Sequence, residues 1–260
     1  MTTTDELNQE LLTLWELQTY STIVPMLYPD LHKNSFLWVG INPSYSPHSI
    51  KPVLRGTDYE HLSEKVDDLN NFFTYRPGLT QTDRRKHQDI QRLHHQKYPF
   101  FRSREKLYDE VKAKLPVEVI DKLPGIEHVD LFHVRVTDSQ ELYRDMRKQE
   151  HFTFFQSQLL LFQKIVEYID PQVIMIANAA LSNYLLGAYS PIKMAGQPIP
   201  FRLNQGDQDG IRTGTAIVNN RDIPVYFFKQ LTGGGTTTIE RQKLVAHLCQ
   251  TFATLHGARD

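Results

Sequence analysis

The chain has 260 residues, of which 40% are hydrophobic and 23% charged, and its formal net charge at pH 7 is −1. This composition is typical of a globular protein that buries a core without disulfides, and it excludes a polybasic, histone-like protein. A single cysteine excludes a disulfide framework. The acidic N-terminus and the lack of an apolar run near roughly 18 residues predict a cytoplasmic protein with no membrane partner.

The first predicted elements are a helix and a buried strand. Leu7, Leu11 and Leu14 recur at helical spacing. The apolar run 35–43 is short and ends in glycine, asparagine and proline, which is typical of a buried strand that enters a tight loop. Residues 46–98 are polar with little apolar periodicity, and we interpret them as an insertion that contains some helix.

Further along the chain, short continuous apolar runs alternate with helical patterns. The predicted strands cover residues 129–135, 173–177 and 223–228, and the predicted helices cover residues 105–115, 150–168, 179–186 and 239–255. Residues 190–215 are rich in glycine, proline and polar residues, which indicates a loop or an irregular hairpin. Thr237 and Glu240 have the spacing of a capping box at the start of the last helix.

This alternation predicts an α/β protein, and the continuous apolar strands predict a mainly parallel sheet covered on both faces. We expect a single domain with a three-layer α/β/α arrangement and a central four-stranded sheet, with the insertion at about residues 46–98. In such folds ligands bind beyond the carboxyl ends of the strands. The segments that follow the strands are therefore the candidate site.

The loop after the first strand, residues 40–45, combines glycine, asparagine and proline with a tyrosine. Gly40 permits a sharp turn and the close approach of a ligand. Asn42 offers an acceptor and a donor that can hold a water or read a base edge. The simpler interpretation is a strand-ending turn without a ligand, because turn residues of this kind are frequent.

The sequence of residues 36–43 resembles the first motif of the uracil-DNA glycosylase superfamily. It is closest to the branch of mismatch-specific uracil and thymine glycosylases, whose motif reads Gly-Ile-Asn-Pro-Gly, and Ser44 here replaces the last glycine. The four predicted strands occur in an order compatible with the parallel sheet of that superfamily. The resemblance implies that Asn42 positions the water that attacks C1′ of a nucleotide whose base has left the stack. It also implies that three residues of the loop bind the flipped base, namely Gly40, Ile41 and Tyr45.

In the superfamily, an aromatic residue that stacks on the flipped base precedes a helix. The sequence Tyr98-Pro99-Phe100-Phe101 before residue 105 is similar. Stacking suits a flipped base because every base has a π-face. Phe101 is favoured slightly over Phe100, and the alternative is that both are core residues.

Members of the superfamily also place a polar residue at the end of the second strand to read the pyrimidine edge. His133 occupies that place and is assigned, with Asn42, to the catalytic site. Asp130 or Arg135 would orient His133 or pair with each other. The alternative is that His133 is simply bonded to the backbone.

The second motif of the superfamily, His-Pro-Ser, is absent from the corresponding region, residues 228–235. A glycine loop there leads into a helix N-terminus, where free N–H groups and the helix dipole favour a phosphate. The residues predicted to contact DNA in this region are Lys229, Gly233, Gly234, Gly235 and Thr236. The alternative is a capped turn with no ligand.

A basic segment runs from residue 84 to residue 106. It holds eight lysines and arginines against two acidic residues, a local sum of +6 on a nearly neutral chain. Phosphate contacts are predicted for Arg84, Arg85 and Lys86. A solvated helix face is the competing interpretation.

The leading expectation is a monomeric DNA-repair-type glycosylase without a metal or other cofactor. It would hydrolyse the N-glycosidic bond of a damaged or mismatched, uracil-like base in single- or double-stranded DNA. The missing His-Pro-Ser motif favours an alternative, a module on the same fold that holds a nucleobase or nucleic acid without breaking a bond. A third possibility is an enzyme of free nucleosides or nucleotides, for which the insertion acts as a lid.

Overall fold

The computed structural model describes residues 2–17, 21–43, 46–136, 138–187, 201–203, 211–228 and 236–257. Its helices are α1 (Thr4–Leu17), α2 (Pro47–Leu54), α3 (Val66–Phe73), α4 (Gln81–Lys97), α5 (Pro99–Lys112), α6 (Val117–Ile120), α7 (Ser139–Asp145), α8 (Phe152–Ile169), α9 (Ala179–Leu185) and α10 (Thr238–His256). Its strands are β1 (Phe36–Gly40), β2 (Ile126–Asp130), β3 (Val173–Ala177), β4 (Phe201–Leu203), β5 (Arg212–Val218) and β6 (Arg221–Phe228).

The strands form one mixed sheet in the order β2-β1-β3-β6-β5-β4. The first four of these run parallel to their neighbours, and β5 and β4 add antiparallel pairs at one end. The prediction of an α/β protein with a mainly parallel sheet is confirmed, and all four predicted strands are present. The predicted strand count of four is wrong, because β5 and β4 extend the sheet.

The error in the strand count comes from the hairpin between β5 and β6. Asn219 and Asn220 have φ angles of 48° and 61°, so a two-residue turn of left-handed residues joins the two strands. The adjacent asparagines are the sequence signal for this turn, since asparagine tolerates that conformation. The polar composition of residues 190–215 hides the strand that precedes it.

Alternate residues of the central strands pack on opposite faces of the sheet, as strand geometry requires. Leu37 and Val39 of β1 join a core cluster with α1 and α8. Phe36 and Trp38 of the same strand join a second cluster with α5 and α10. Helices therefore cover both faces, which matches the expected layering.

The inserted region contains more helix than the sequence suggests. It forms α2, α3 and α4, which share a small apolar cluster of their own: Ile50, Leu54, Leu69, Phe73 and Ile90. Thr80 caps α4 by accepting a hydrogen bond from the Asp83 N–H at 3.1 Å. The division of the chain into one domain with an insertion stays a prediction.

Two predicted boundaries are wrong in places that matter for the site. The helix predicted from residue 105 begins at Pro99, because proline is favoured in the first helical position, and Phe101 thus lies in the first turn. The second strand ends at Asp130 rather than at residue 135, because its neighbour β1 ends at Gly40. His133 consequently lies beyond the strand.

The remaining predicted helices are present as α1, α8, α9 and α10, whereas α6 and α7 were not predicted. The capping box at the start of α10 is present, with the Thr237 side chain accepting from the Glu240 N–H and the Glu240 carboxylate accepting from the Thr237 N–H. Among the helices of the described residues, none has the length and apolar character needed to span a bilayer.

Candidate functional site

A cavity of about 320 Å³ lies at the carboxyl ends of β1, β2 and β3. It is lined by residues 40–43 at the end of β1 and just beyond it, by Asp130 of β2, and by Ala177 and Asn178 at the end of β3. Side chains of α4 and α5 form a further wall. This is the edge of the sheet at which a ligand is expected. The volume is at the lower end of the range for small-molecule sites, about 300–1,000 Å³, so the cavity suits a ligand of the size of a nucleobase.

Asn42 ties the loop after β1 to the segment that follows β2. Its Nδ2 donates to the carbonyl of Val136 at 2.7 Å and to that of Pro43 at 3.2 Å. The Val136 N–H in turn donates to the Pro43 carbonyl at 3.2 Å. Because the amide nitrogen bonds the backbone, Asn42 can act on a ligand or a water only as an acceptor, through Oδ1.

A buried carboxylate lies on the floor of the cavity. Asp130 is the last residue of β2 and is only 3% exposed. Its Oδ2 lies 3.4 Å from Nε2 of His128, which sits on the same face of the strand two residues earlier and also lines the cavity. A buried charge requires a partner, and His128 supplies one. The cavity therefore contains an acceptor in a fixed position.

Gly40 leaves the space that this carboxylate occupies. A Cβ at position 40 would lie 2.0 Å from Asp130 Oδ1 and 3.2 Å from His128 Cε1. The glycine is therefore needed for close approach between the ends of β1 and β2. A side chain at this position would displace the Asp130 carboxylate.

We expect Gly40→Ala to lower the free energy of unfolding by about 1–3 kcal/mol, the usual cost of overpacking a buried site. Chemical denaturation measures the loss. Gly125→Ala is the matched control, since a Cβ at Gly125, just before β2, meets no atom within 4 Å. Equal stability of the two variants would contradict the close contact between Gly40 and Asp130.

Aromatic rings form the wall of the cavity opposite the sheet. Phe101 is 7% exposed, and its centroid lies 5.1 Å from that of His128. Tyr98 stacks on His94 at 4.8 Å with an interplanar angle of 23°. The guanidinium of Arg104 lies 4.6 Å from the centroid of Phe101. This wall offers a flat ligand ring π-faces on which to stack.

The histidines that α4 brings to this region are neutral near pH 7. Burial, helped by the charge of Arg135, lowers the pKa of His94 to about 3. Burial also holds the pKa of His95 well below its usual value. Gln91 connects this group, since its Oε1 accepts from Arg135 Nη2 at 2.8 Å and its Nε2 lies 2.7 Å from His95 Nε2. The α4 side of the cavity is polar without carrying a charge of its own.

Asn178 places a second amide at the edge of the cavity. It is the N-cap of α9, and its Oδ1 accepts a hydrogen bond from the Leu181 N–H at 3.0 Å. Because Oδ1 serves the cap, this side chain can act on a ligand only through its amide nitrogen. Asn42 and Asn178 thus offer complementary groups, an acceptor and a donor.

The structure brings together four of the predicted catalytic and base-binding residues: Gly40, Ile41, Asn42 and Phe101. Tyr45 lies outside the described residues. His133 does not line the cavity; its backbone N–H donates to Gln158 Oε1 at 2.7 Å, and its ring lies edge-on against Tyr28. This placement corrects the expectation that the His133 side chain faces a base. The reason is that β2 ends at Asp130, which takes the place expected for His133.

The predicted phosphate contacts on α4 differ in exposure. Arg84 is half-buried, and it donates to the Leu79 carbonyl at 3.1 Å and to Gln9 Oε1 at 2.5 Å, so it attaches α4 to α1. Arg85 and Lys86 are exposed. They precede the part of α4 that lines the cavity by about 8 Å of helix, at the rise of about 1.5 Å per residue.

The predicted phosphate contacts of the glycine loop fall mostly outside the described residues, which exclude Lys229, Gly233, Gly234 and Gly235. Thr236 is described and precedes Thr237, the N-cap of α10. Phe228, the last residue of β6, pairs with Ala177, which lines the cavity.

Sequence reasoning missed several residues that line the cavity: Tyr98, His94, His128 and Asn178. Asp130 was considered only as a group that orients or pairs with His133, or that pairs with Arg135. A signal was present, since His128 and Asp130 are two positions apart, and residues two positions apart in a strand share one face. Asn178 follows a predicted strand directly, where site residues are expected.

No family model matches the sequence, and no curated protein matches it. Within the described ranges, no group of three or more His, Cys, Asp or Glu side chains is arranged to hold a metal ion.

Proposed function

We propose that the cavity binds one damaged or mismatched nucleobase flipped out of DNA, and that the chain hydrolyses the N-glycosidic bond of that nucleotide on a uracil-DNA glycosylase-like fold. The observation that supports this most strongly is the convergence of residues 40–43, Asp130 and Phe101 on one cavity of about 320 Å³. The resemblance of residues 36–43 to the first motif of the glycosylases adds independent support.

Binding a base requires a flat apolar surface and polar groups at its edge. Phe101 provides the surface, and Tyr98 stacked on His94 extends it. For the edge of the base, the Asp130 carboxylate provides a hydrogen-bond acceptor and the Asn178 amide provides a donor. A flipped base stays attached to its sugar, and the loop containing Asn42 lines the same cavity.

Asn42 is the residue to which we assign the orientation of the attacking water. Its Oδ1 accepts a hydrogen bond from the water, whose oxygen forms a bond to C1′ as the bond between C1′ and the base nitrogen breaks. The electron pair of the broken bond stays on the base, which takes up a proton, while the water loses one to solvent. Orientation of the reactants is the main contribution of such a residue.

The backbone of the DNA would lie across the exposed side of α4. Arg85 and Lys86 are exposed there and can reach phosphate oxygens. Arg84 has hydrogen-bond partners within the protein. We therefore assign phosphate contacts to Arg85 and Lys86 ahead of Arg84.

A base-excision assay tests this function. Labelled single- and double-stranded oligonucleotides, each with one altered or mismatched base, are incubated with the protein and then treated with alkali. Strand cleavage at the altered base supports the proposal. Intact strands across the panel, with unmodified bases included, would contradict it.

We expect Asn42→Ala to lower the rate of base excision about 100-fold, because loss of an orienting contact displaces the water. Single-turnover rates measure this, at a temperature at which both proteins are folded by circular dichroism. Gln140→Ala, which removes an exposed side-chain amide on α7, is the control and should keep the parental rate. An unchanged rate in folded Asn42→Ala would remove Asn42 from the mechanism.

One observation favours the second candidate, a nucleobase-binding module without hydrolysis. The hydrogen bonds from Asn42 Nδ2 to Val136 and Pro43 give this residue a structural role that needs no chemistry. In that case, the protein would bind oligonucleotides with an affinity that falls steeply with salt, and every base would remain attached.

A further inference from the structure

The position of Asp130 restricts which bases the cavity can hold. The carboxylate is 3% exposed and lies between the backbone of Gly40 and the ring of His128. Both neighbours limit its movement, since the contact with Gly40 leaves no room for even a methyl group. A ligand that reaches the floor of the cavity therefore meets the carboxylate in this position.

Beyond its contact with His128, this carboxylate meets no cationic side chain in the described lining. Among the described residues that line the cavity there is no lysine or arginine. Arg135 lies behind Gln91 and donates to it, and to the Val24 carbonyl at 3.1 Å. His94 is neutral near pH 7 because burial lowers its pKa to about 3. At the floor of the cavity, a ligand therefore meets the Asp130 carboxylate as a hydrogen-bond acceptor.

An ionised carboxylate accepts hydrogen bonds and donates none. Cytosine, adenine and guanine carry an exocyclic amino group, whose N–H bonds can point at such an acceptor. At the position of the amino group of cytosine or adenine, the bases uracil, thymine and hypoxanthine carry a carbonyl oxygen. A carbonyl oxygen placed against the buried carboxylate would receive no hydrogen bond there, and the two acceptors would repel each other.

We propose that the cavity selects a nucleobase with an exocyclic amino group, and that Asp130 accepts a hydrogen bond from that group. This inference rests on the proposed function, since it names the substrate class of the same cavity. It departs from the uracil-like base that the sequence resemblance implies. The selected class includes modified bases that keep the amino group.

The test uses pairs of nucleosides in which one member carries an exocyclic amino group and the other carries a carbonyl oxygen at the same ring position. Deoxycytidine is compared with deoxyuridine, 5-methyldeoxycytidine with thymidine, and deoxyadenosine with deoxyinosine, each within the same short single-stranded oligonucleotide. Affinities are measured by titration at constant salt. We expect the amino member of each pair to bind about 5- to 150-fold more tightly, the range that one base-specific contact provides.

The variant Asp130→Asn keeps the size of the side chain and adds an N–H donor. We expect it to abolish or reverse the preference for the amino member. Asp109→Asn, which changes an exposed carboxylate on α5, should keep the preference of the parent protein. If Asp130→Asn does not fold, the paired affinities of the parent protein still decide whether the cavity prefers the amino member.

The possible failures are distinguishable. Equal binding of both members, or tighter binding of the carbonyl member, by the parent protein would overturn the inference and leave base binding intact. A preference that persists in folded Asp130→Asn would overturn the assignment to Asp130. Failure of every base to bind in the cavity would overturn the proposed function and the inference together.

Discussion

Acidification from about pH 7.5 to about pH 5.5 is expected to lower the free energy of unfolding by about 4 kcal/mol. Three buried histidines produce this effect, each contributing about 1.4 kcal/mol per pH unit below its unfolded pKa. Burial lowers the pKa of His87 and His94 to about 3 and that of His133 to about 4. His95, whose pKa burial also lowers, acts in the same direction.

The sign follows from proton uptake. In the unfolded chain each histidine has a pKa near 6.5 and takes up a proton as the pH falls below that value. The folded protein keeps the same imidazoles neutral until the pH approaches 3 to 4. The unfolded state therefore binds more protons over this window. Above about pH 6.5 these histidines cost the protein no stability, and below it the free energy of unfolding decreases progressively as the pH falls.

Urea denaturation at a series of pH values measures the slope. His87→Gln removes one of the buried groups and should reduce the slope below pH 6.5 by about 1.4 kcal/mol per pH unit. His48→Gln changes an exposed histidine and is the matched control. A free energy of unfolding that stays constant between pH 7.5 and 5.5 would show that these histidines are not held neutral in the folded protein.

Phe101→Ala is expected to lower the free energy of unfolding by about 3–5 kcal/mol, the usual cost of deleting a buried aromatic ring. The ring contacts His95 at a centroid distance of 4.4 Å and His128 at 5.1 Å, and Arg104 lies over it. Its loss leaves a void beside the cavity and removes the stacking surface. Chemical denaturation checks the stability loss, and oligonucleotide titration checks the loss of base binding.

Phe101→Leu separates stacking from packing. Leucine fills part of the void but has no π-face, so base binding should weaken by about 1–3 kcal/mol while the loss of stability is smaller than for alanine. Phe252→Leu is the control, because Phe252 is fully buried in the second core cluster, between the sheet, α5 and α10, and does not line the cavity. If both leucine variants bind a base equally well, Phe101 is not the stacking residue.

Much of the architecture was predictable because it depends on local pattern. The apolar runs that became β1, β3 and β6 lack polar interruptions, and buried parallel strands have that property. The capping box at Thr237 was also readable, since it needs only two side chains at a fixed spacing. Strand β5 was missed because its first half lies in the polar stretch 190–215, although the two adjacent asparagines of the turn were a signal.

The candidate site was predictable only where sequence position fixed it. Gly40 ends β1 and Asn42 comes two residues later, so their place at the sheet edge follows from the strand alone. Asp130, rather than His133, lines the cavity because β2 stops pairing with β1 at Asp130. No local sequence pattern determines the residue at which this pairing ends. Tyr98 and His94 reach the cavity through the packing of α4 and α5, which is a long-range contact.

Entry of a base into this cavity is tested most directly by methyl NMR of the protein with a short single-stranded oligonucleotide. Met26 and Ile41 line the cavity, whereas Met146 and Ile165 belong to the same core cluster but do not line it. We predict saturable shifts of the Met26 and Ile41 methyl signals, with those of Met146 and Ile165 unchanged. Binding that leaves Met26 and Ile41 unshifted would show that the base does not enter this cavity.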